Sequence, residues 1–273
     1  MSGAPESDGG GRPAPLRLGG MALRNGLLVH GPTAWAVAAR RADGSIGVAS
    51  GPKPRIRGPV ATVPGARGVL RLAEAIAVIP LAKRALPEAR LPWQDARVAG
   101  VTVAAMAGGG LLRRRVGGPA GELALTGLSL VPSLFALRGG ELAAYHGVEH
   151  KAIAAYEQGA DDARDAAKEH DRCGSHLMAP LLAGNLAGTA LLRRVVQRPG
   201  PVAGAAVSLA SLGVAVEVFA WTERHADSPV TKALKRPGYE LQRVLGTREP
   251  TEAQLDVGRA ALAEILRAEG AVA

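Results

Sequence analysis

The chain has 273 residues, enough for one large or two small domains with a sizeable core. It is 47% hydrophobic but only 3% aromatic, and its formal net charge is +9. Although this charge could suit nucleic acid, the arginines cluster at the ends of apolar segments, and the sequence has no stacked-aromatic pattern and no helix-turn-helix or zinc-finger spacing. We therefore expect a lipid bilayer as the partner and no nucleic acid.

The amino-terminal third is predicted to hold a tail, a β element and a helix. Residues 1–18 are rich in glycine, proline and serine without a signal-peptide core, which predicts a disordered tail. In residues 19–95, Asp43-Gly44 separates two short apolar segments, 34–38 and 46–49, as in a β-hairpin. Apolar residues with helical spacing follow in 65–86, where Pro80 predicts a kink or an end.

Four apolar segments in residues 96–222 predict a helical bundle in the membrane. They cover 98–112, 123–137, 177–192 and 201–221. A spanning helix needs about 20 residues to cross roughly 30 Å of hydrocarbon, and only the last segment reaches this length unaided. The other three end in arginines, which can snorkel and lengthen a short span. Buried helices of a soluble core are the alternative. We expect a mainly α-helical, multi-pass cell-membrane protein with about four transmembrane or re-entrant helices.

The sequence H-G-V-E-H at 146–150 predicts a metal site within a loop region covering 141–176. Two histidines four residues apart share a helix face and can bind one ion, in the order found in inverted zincins. His170 and Cys173 form a second pair of metal-preferring side chains. Three histidines and a thiolate suit a divalent metal, zinc first and iron second. We predict His146, His150, His170 and Cys173 as ligands.

Carboxylates near these ligands suggest further roles. Glu149 is placed to act as a general base on a metal-bound water. Glu157 lies on the face of His146 and is either a further ligand or, like Glu141, a side chain that orients one; both carboxylates could instead face solvent. Gly159 and the polar segment after it are predicted to end this helix. Glu217 is the only charge in the apolar segment 201–221, where an unpaired charge is costly, so it needs a partner or a function. The side chains expected to surround the ligands are Tyr145, Glu157, Arg172 and Glu217.

Three histidines stand apart from these pairs. His176 begins an apolar helix and is a possible spare ligand, whereas His30 and His225 are interpreted as surface or packing residues. In the carboxyl-terminal region, residues 223–273, the capping-box sequence that begins at Thr251 precedes an amphipathic helix. We expect this helix to pack on the β element or the membrane face. A partner interface is the alternative use of its apolar stripe.

The motifs occur in a recognisable order. The chain carries Y-H-G-V-E-H-K at 145–151, H-x-R-C-G at 170–174, P-G at 237–238, L-Q at 241–242 and T-R-E-P at 247–250. Together with a glycine-rich opening at 19–38, they resemble the YqhQ-type family of bacterial membrane proteins over nearly everything after residue 18. The resemblance implies a domain of unknown function, described as a predicted metal-dependent enzyme, without an established substrate. Met21 and Asn25 stand where this family has polar Gln and Glu, and His176 where a small hydroxyl residue is usual.

Three functions are compatible with these features. The first is a metal-dependent membrane enzyme, most simply a hydrolase that uses a metal-bound water. A site with all four ligands has no open position, so the alternative is a non-enzymatic scaffold or adaptor with a structural zinc. A transporter is the third, although the apolar segments offer few polar residues beyond Asn185 and Glu217.

The charges also bear on orientation in the membrane. The basic stretch at 83–97 and the lack of a cleavable signal favour a cytoplasmic metal loop and cytoplasmic termini, where Cys173 stays reduced. The positive loops at 113–115 and 193–198 favour the opposite arrangement.

Overall fold

The structure, a computed structural model, describes residues 15–115, 118–138, 140–160, 162–197 and 199–271. A small antiparallel sheet precedes a series of helices, which confirms the predicted mainly helical fold with an amino-terminal β element. The strands are β1 (Gly19–Leu23), β2 (Gly26–His30), β3 (Ala34–Arg40) and β4 (Ile46–Pro52). The helices are α1 (Ala66–Ala85), α2 (Ala96–Arg115), α3 (Gly118–Leu137), α4 (Glu141–Gln158), α5 (Met178–Val195), α6 (Pro201–Arg224), α7 (Pro229–Leu241) and α8 (Glu252–Ala268). A π-helical turn, Gln242–Gly246, continues α7.

The sheet is a meander with strand order β1-β2-β3-β4. Its β3–β4 hairpin is the predicted one: Val37 pairs with Ala49, and Gly44 in the turn has a positive φ of 86°. The other two strands were not predicted. Asn25 sits in their turn, where its Nδ2 donates to Arg40 O (2.8 Å) and Glu88 O (3.0 Å). Asn25 therefore stabilises this turn and ties it to the segment after α1.

The two faces of the sheet pack against different helices. Leu27 and Val29 contribute to a core with α4 and α8, in which Val148 and Ile265 are fully buried. Leu28, on the opposite face, packs with α1. This alternation follows from the two-residue repeat of a strand. As expected, α8 packs on the β element. The sheet with α4 and α8 is called the sheet unit below.

Part of the segment predicted as a tail packs into the fold. Residues 1–14 lie outside the described residues, but Leu18 is buried in the core of the sheet unit and Leu16 packs against it. The backbone N–H of Leu16 also donates to the Tyr156 hydroxyl at 3.0 Å. Leu16 and Leu18 therefore contribute to the core of the sheet unit.

All four predicted apolar segments are helices, here called the apolar helices: α2 packs on α3, and α5 packs on α6. Among the described residues, only Ala120–Leu137 and Val202–Arg224 are long and apolar enough to cross a membrane, a test of length and composition alone. Just 6% and 17% of these windows are buried. The structure thus gives two candidate spans where the sequence predicted about four.

Two features of the helices differ from expectation: the course of α1 at Pro80 and the packing of α4. Pro80 lies inside α1, which continues through it. The helix α4, expected within the bundle of residues 96–222, packs instead on β1, β2 and α8. Its apolar residue Val148 is buried against Gly258 of α8, where a Cβ would lie 2.5 Å from the valine. The H-G-V-E-H helix therefore belongs to the sheet unit.

Candidate metal centre

The two histidines of α4 project from a rigid, well-bounded helix. It follows Gly140, with φ of 80°, and ends at Gly159 in the left-handed conformation, as the sequence predicted for that glycine. The ring centroids of His146 and His150 are 4.3 Å apart. The helical repeat places both imidazoles on one side and Val148 in the core on the other.

Backbone carbonyls fix both imidazoles in orientation. His146 Nδ1 donates to Gly246 O at 2.8 Å, and His150 Nδ1 donates to Lys168 O at 2.6 Å. These bonds assign a proton to Nδ1 of each ring, so Nε2 is the atom of each ring that is available to a metal. His150 Nε2 is buried and has no hydrogen-bond partner among the described residues. A buried polar atom without a partner is unusual, and a bound ion would account for it.

Cys173 completes a group of three. Its Sγ lies 3.5 Å from His146 Nε2, and the ligand atoms of His146, His150 and Cys173 all lie within 4.8 Å of one another. Tetrahedral zinc with ordinary Zn–N and Zn–S bonds places such a nitrogen and sulfur about 3.6 Å apart. The donor set and its spacing therefore fit a zinc ion.

His170, the fourth predicted ligand, lies beside this group. Its ring centroid is 5.7 Å from that of His150, but both of its nitrogens have partners. Nδ1 accepts from the Arg172 N–H at 3.2 Å, and Nε2 is 3.3 Å from a carboxylate oxygen of Glu157. Glu157 also forms an ion pair with Arg172. The structure thus assembles three of the four predicted ligands, and Glu157 and Arg172 hold the remaining histidine.

Glu149 is buried beside the two ligand histidines. A Cβ on Gly20 of β1 would lie 2.8 Å from its carboxyl group, so only glycine leaves room for it. Burial raises the pKa of Glu149, while the charges of His146 and His170 oppose this rise. A raised pKa brings a carboxylate closer to the range in which it can accept and return a proton near neutrality.

Burial acts differently on the two ligand histidines. For His146 burial lowers the pKa, but the hydrogen bond with Cys173 and the charge of Glu149 outweigh it and raise the pKa to about 9. For His150, burial and then the charge of His146 lower the pKa to about 2, so this ring is neutral. The cluster therefore stabilises one positive charge, which His146 carries beside the thiol of Cys173. A metal cation would take the place of that proton.

The cluster forms part of the wall of a cavity of about 600 Å³. Glu149, His170 and Arg172 line the same end, and Met21 of β1 contributes to the wall. The wall also contains apolar residues of α1 and α3, together with Ser133. A three-ligand group that faces a cavity beside a carboxylate has the general arrangement of catalytic metal sites.

Gln242 is a positioning residue that sequence reasoning did not identify. It is fully buried, its Oε1 accepts from the His170 N–H at 2.8 Å, and its Nε2 donates to Ser175 Oγ at 2.9 Å and to His176 Nε2 at 3.1 Å. It therefore fixes the segment that carries Cys173. The L-Q motif at 241–242 was its only signal in the sequence.

Gly147 has a similar supporting role. Arg248 N donates to Ala143 O at 3.0 Å, which lays the T-R-E-P motif across α4. A Cβ on Gly147 would overlap the carbonyl oxygen of Arg248. The glycine in H-G-V-E-H therefore allows the close approach that also brings Gly246 to His146.

Glu217 and Tyr145, both expected around the ligands, lie elsewhere. Glu217 forms an ion pair with Arg67 at 2.7 Å and accepts from the Gly65 N–H at 2.8 Å, so it anchors the start of α1 and does not line the cavity. The ion pair with Arg67 balances the carboxylate of Glu217, so the apolar helix does not carry an unpaired charge. Tyr145 is buried in the core of the sheet unit.

The remaining candidates have structural partners. Glu141 accepts from Gln254 at 3.3 Å and orients no histidine. His176 is buried, with Nδ1 3.0 Å from Lys235 O and Nε2 beside Gln242, so it is a packing residue. Lys53 donates to His30 at 3.0 Å, and His225 is exposed and stacks on a tryptophan. Both agree with their interpretation as surface or packing residues.

Comparison with known proteins finds a family match over the part of the chain that contains the site. Residues 141–268 match the family "Protein of unknown function (DUF1385)". The chain is also 33% identical over 135 residues to "Uncharacterized protein YqhQ" of Bacillus subtilis (strain 168), covering 46% of this chain and 40% of that protein. No solved structure matches. The predicted resemblance is confirmed, whereas its extension to the glycine-rich opening, outside residues 141–268, stays a prediction.

Proposed function

We propose that this protein is a metal-dependent membrane enzyme, most simply a hydrolase, with a zinc ion bound by His146, His150 and Cys173. One observation carries the proposal: the ligand atoms of the three side chains lie within 4.8 Å of one another, and the buried Nε2 of His150 has no other partner among the described residues. Two imidazoles and a thiolate form a borderline-soft donor set that suits zinc better than a hard cation.

The number of ligands supports chemistry over a purely structural role. Catalytic zinc sites use three protein ligands and keep one position open, whereas structural sites are closed by four. His170 is the nearest fourth candidate, and its nitrogens are taken by Glu157 and Arg172. When bound in such a site, zinc acidifies water and polarises a carbonyl. Glu149, buried at the same end of the cavity, accepts the proton from the attacking water and returns it to the leaving group.

The membrane location is part of the proposal. The helices α3 and α6 contain the candidate spans, and little of either is buried. Their neighbours α2 and α5 also expose large apolar side chains, among them Val103, Met106 and Leu191. Large exposed apolar surfaces are rare on soluble monomers. We propose a four-helix membrane bundle with the metal centre on its cytoplasmic side.

The scaffold is the second candidate function. A zinc ion would join α4 to the segment that carries Cys173, and this link could serve stability alone. For a transporter the structure offers less support. Asn185 donates within its own helix to Leu181 O, and Glu217 is paired with Arg67.

Metal content tests the site. The protein purified from membranes, analysed by mass spectrometry for bound metals, should contain zinc that is lost in His146→Ala and Cys173→Ser. His225→Ala is the matched control, because this histidine is exposed and remote from the cluster in sequence. Equal metal content in all four proteins would contradict the proposal.

Two further variants separate an enzyme from a scaffold. Glu149→Gln should keep the metal and the fold but lose hydrolysis of an activated ester, because the amide cannot accept the proton. His170→Ala should keep the metal, since His170 lies outside the three-ligand group. Loss of metal and of thermal stability in His170→Ala would establish a closed four-ligand site and favour the scaffold.

A further inference from the structure

The residues that line the cavity beside the metal centre fall into two chemically different groups. One group is the cluster with Glu149, and the other comes from α1 and α3 and is apolar except for Ser133. We call the part formed by the first group the polar end and the part formed by the second group the apolar arm. The side chains of the apolar arm are Leu72, Ala75, Leu130, Ser133, Leu134 and Leu137. A volume of about 600 Å³ is within the range of small-molecule sites.

The apolar arm is bounded by one face of a candidate membrane span. Leu130, Leu134 and Leu137 are spaced at i, i+4 and i+7, so they lie along the same side of α3. Only 6% of this span is buried, and its Leu123 is 58% exposed. If α3 lies in a bilayer, its apolar surface is continuous from the hydrocarbon to the cavity. A hydrocarbon chain could enter the arm without crossing water.

Apart from the proposed metal centre, the polar end has no unpaired cationic side chain among the described residues that line it. The guanidinium of Arg172 is paired with Glu157. His30 also lines the cavity, but burial and the nearby Lys53 lower its pKa to about 4 and keep it neutral. Phosphate recognition normally uses unpaired arginine or lysine side chains or a helix N-terminus. The charges therefore favour a head group without a phosphate.

We propose, on the basis of the proposed function, that the substrate is an uncharged amphiphile, an acyl ester whose hydrocarbon chain occupies the apolar arm and whose ester group lies at the metal centre. In hydrolysis, the water oxygen forms a bond to the acyl carbon and the bond from that carbon to the alkoxy oxygen breaks. Glu149 takes one proton from the water and delivers it to the alkoxy oxygen. The products are a fatty acid, which remains lipid-soluble, and an alcohol.

Photocrosslinking in vesicles tests where the chain lies. The full-length protein is reconstituted with monopalmitoylglycerol that carries a diazirine at the end of its acyl chain, and the crosslinked residues are mapped by mass spectrometry. Crosslinks should map to residues 130–137 of α3 and 72–75 of α1. In Leu134→Trp the yield should fall roughly tenfold, because an indole ring overfills the arm. Leu123→Trp, on an exposed part of the same helix, should retain the yield.

A second variant of the apolar arm and a measurement of bound metal control this experiment. Ala75→Phe narrows the arm from α1, so the result does not depend on a single variant. Bound metal is measured in every variant, which shows that the site is still assembled. Equal crosslinking in wild type, Leu134→Trp and Ala75→Phe, with metal retained, would overturn the substrate proposal while leaving the metal site intact. Absence of metal from the wild type would instead refute the proposed function.

The head group is tested with a second probe. The phosphorylated analogue with the same diazirine chain should crosslink to the arm more weakly than monopalmitoylglycerol. Stronger crosslinking of the phosphorylated probe would overturn the proposed uncharged head group.

Discussion

The sheet unit and the apolar helices contain similar apolar side chains, but the sheet unit buries them and the apolar helices expose many of them. In the sheet unit, Leu27 and Ile265 are completely buried between strands and helices. In the apolar helices, α5 buries no residue, and Met106 of α2 is 74% exposed. The sheet unit buries its apolar side chains within itself, whereas the apolar helices leave many of theirs exposed. His146, Glu149 and His150 project from α4 of the sheet unit, which also contacts α3 of the apolar helices.

The position of the cavity follows from this difference. Its polar end is built on α4, whose opposite face is fixed by the sheet, and its apolar arm is built on α3. A rigid element holds the ligands in place, and an apolar helix offers a lipid-compatible wall. The contrast implies that the two regions respond differently to substitution.

The largest effect is expected in the core of the sheet unit. Ile265→Ala should lower the free energy of unfolding by about 3 kcal/mol, the usual cost of a large cavity in a packed core. Leu123→Ala, on the exposed part of α3, should change it by less than about 0.5 kcal/mol. Denaturant titration in detergent, followed by circular dichroism, measures both. Similar losses for the two variants would show that α3 is packed as tightly as the sheet unit.

The glycine of the H-G-V-E-H motif should be almost as sensitive. Gly147→Ala should cost roughly 2–3 kcal/mol, because the added methyl group overlaps the carbonyl oxygen of Arg248. Gly100→Ala in α2 meets no atom within 4 Å and should be neutral or slightly stabilising, since alanine favours helix. Thermal unfolding of the two variants compares them directly. A stable Gly147→Ala would contradict the close contact between α4 and the T-R-E-P segment.

A smaller, local effect is expected at Gln242. Gln242→Ala leaves the His170 N–H and the Ser175 hydroxyl without their partner, at a cost of about 1–3 kcal/mol. Hydrogen exchange should quicken in residues 170–176 and stay unchanged in β2 and β3. Faster exchange throughout the sheet would show that Gln242 supports the whole fold instead of this segment.

The last effect concerns acid stability at the end of β2. Burial and the charge of Lys53 lower the pKa of His30 to about 4 from the model-compound value of 6.5. The unfolded chain therefore binds this proton more readily, and stability falls as the pH drops from 6.5 to about 4. His30→Gln should lose less thermal stability than wild type over this range. An identical pH dependence in both proteins would contradict the burial of His30.

Local patterns predicted much of the fold. The hairpin around Gly44, the end of α4 at Gly159 and the capping box before α8 were all predicted, because each depends on the conformational preference of a few neighbouring residues. The strands β1 and β2 escaped prediction. Their glycines and short lengths give little periodicity, and their stability comes from pairing with each other and with β3.

The candidate site was predicted in composition but not in assembly. His146 and His150 share a face because four residues make about one helical turn. Nothing local indicated that His170 would be turned toward Glu157, or that Glu217 would anchor α1. These outcomes depend on which elements pack together over long distances in sequence.

Residue types and their spacing were enough to predict the metal-preferring side chains, the shared helix face of His146 and His150 and the apolar character of α2, α3, α5 and α6. These are consequences of residue type and of the helical repeat. The sequence did not indicate that Cys173 would reach the two histidines, that carbonyls of Gly246 and Lys168 would orient their rings, or that the cluster would line a cavity; these features appear only in the folded structure. The physical reason is that ligand geometry is set by packing between distant segments. A buried imidazole takes whichever partner the packed chain brings within hydrogen-bonding distance.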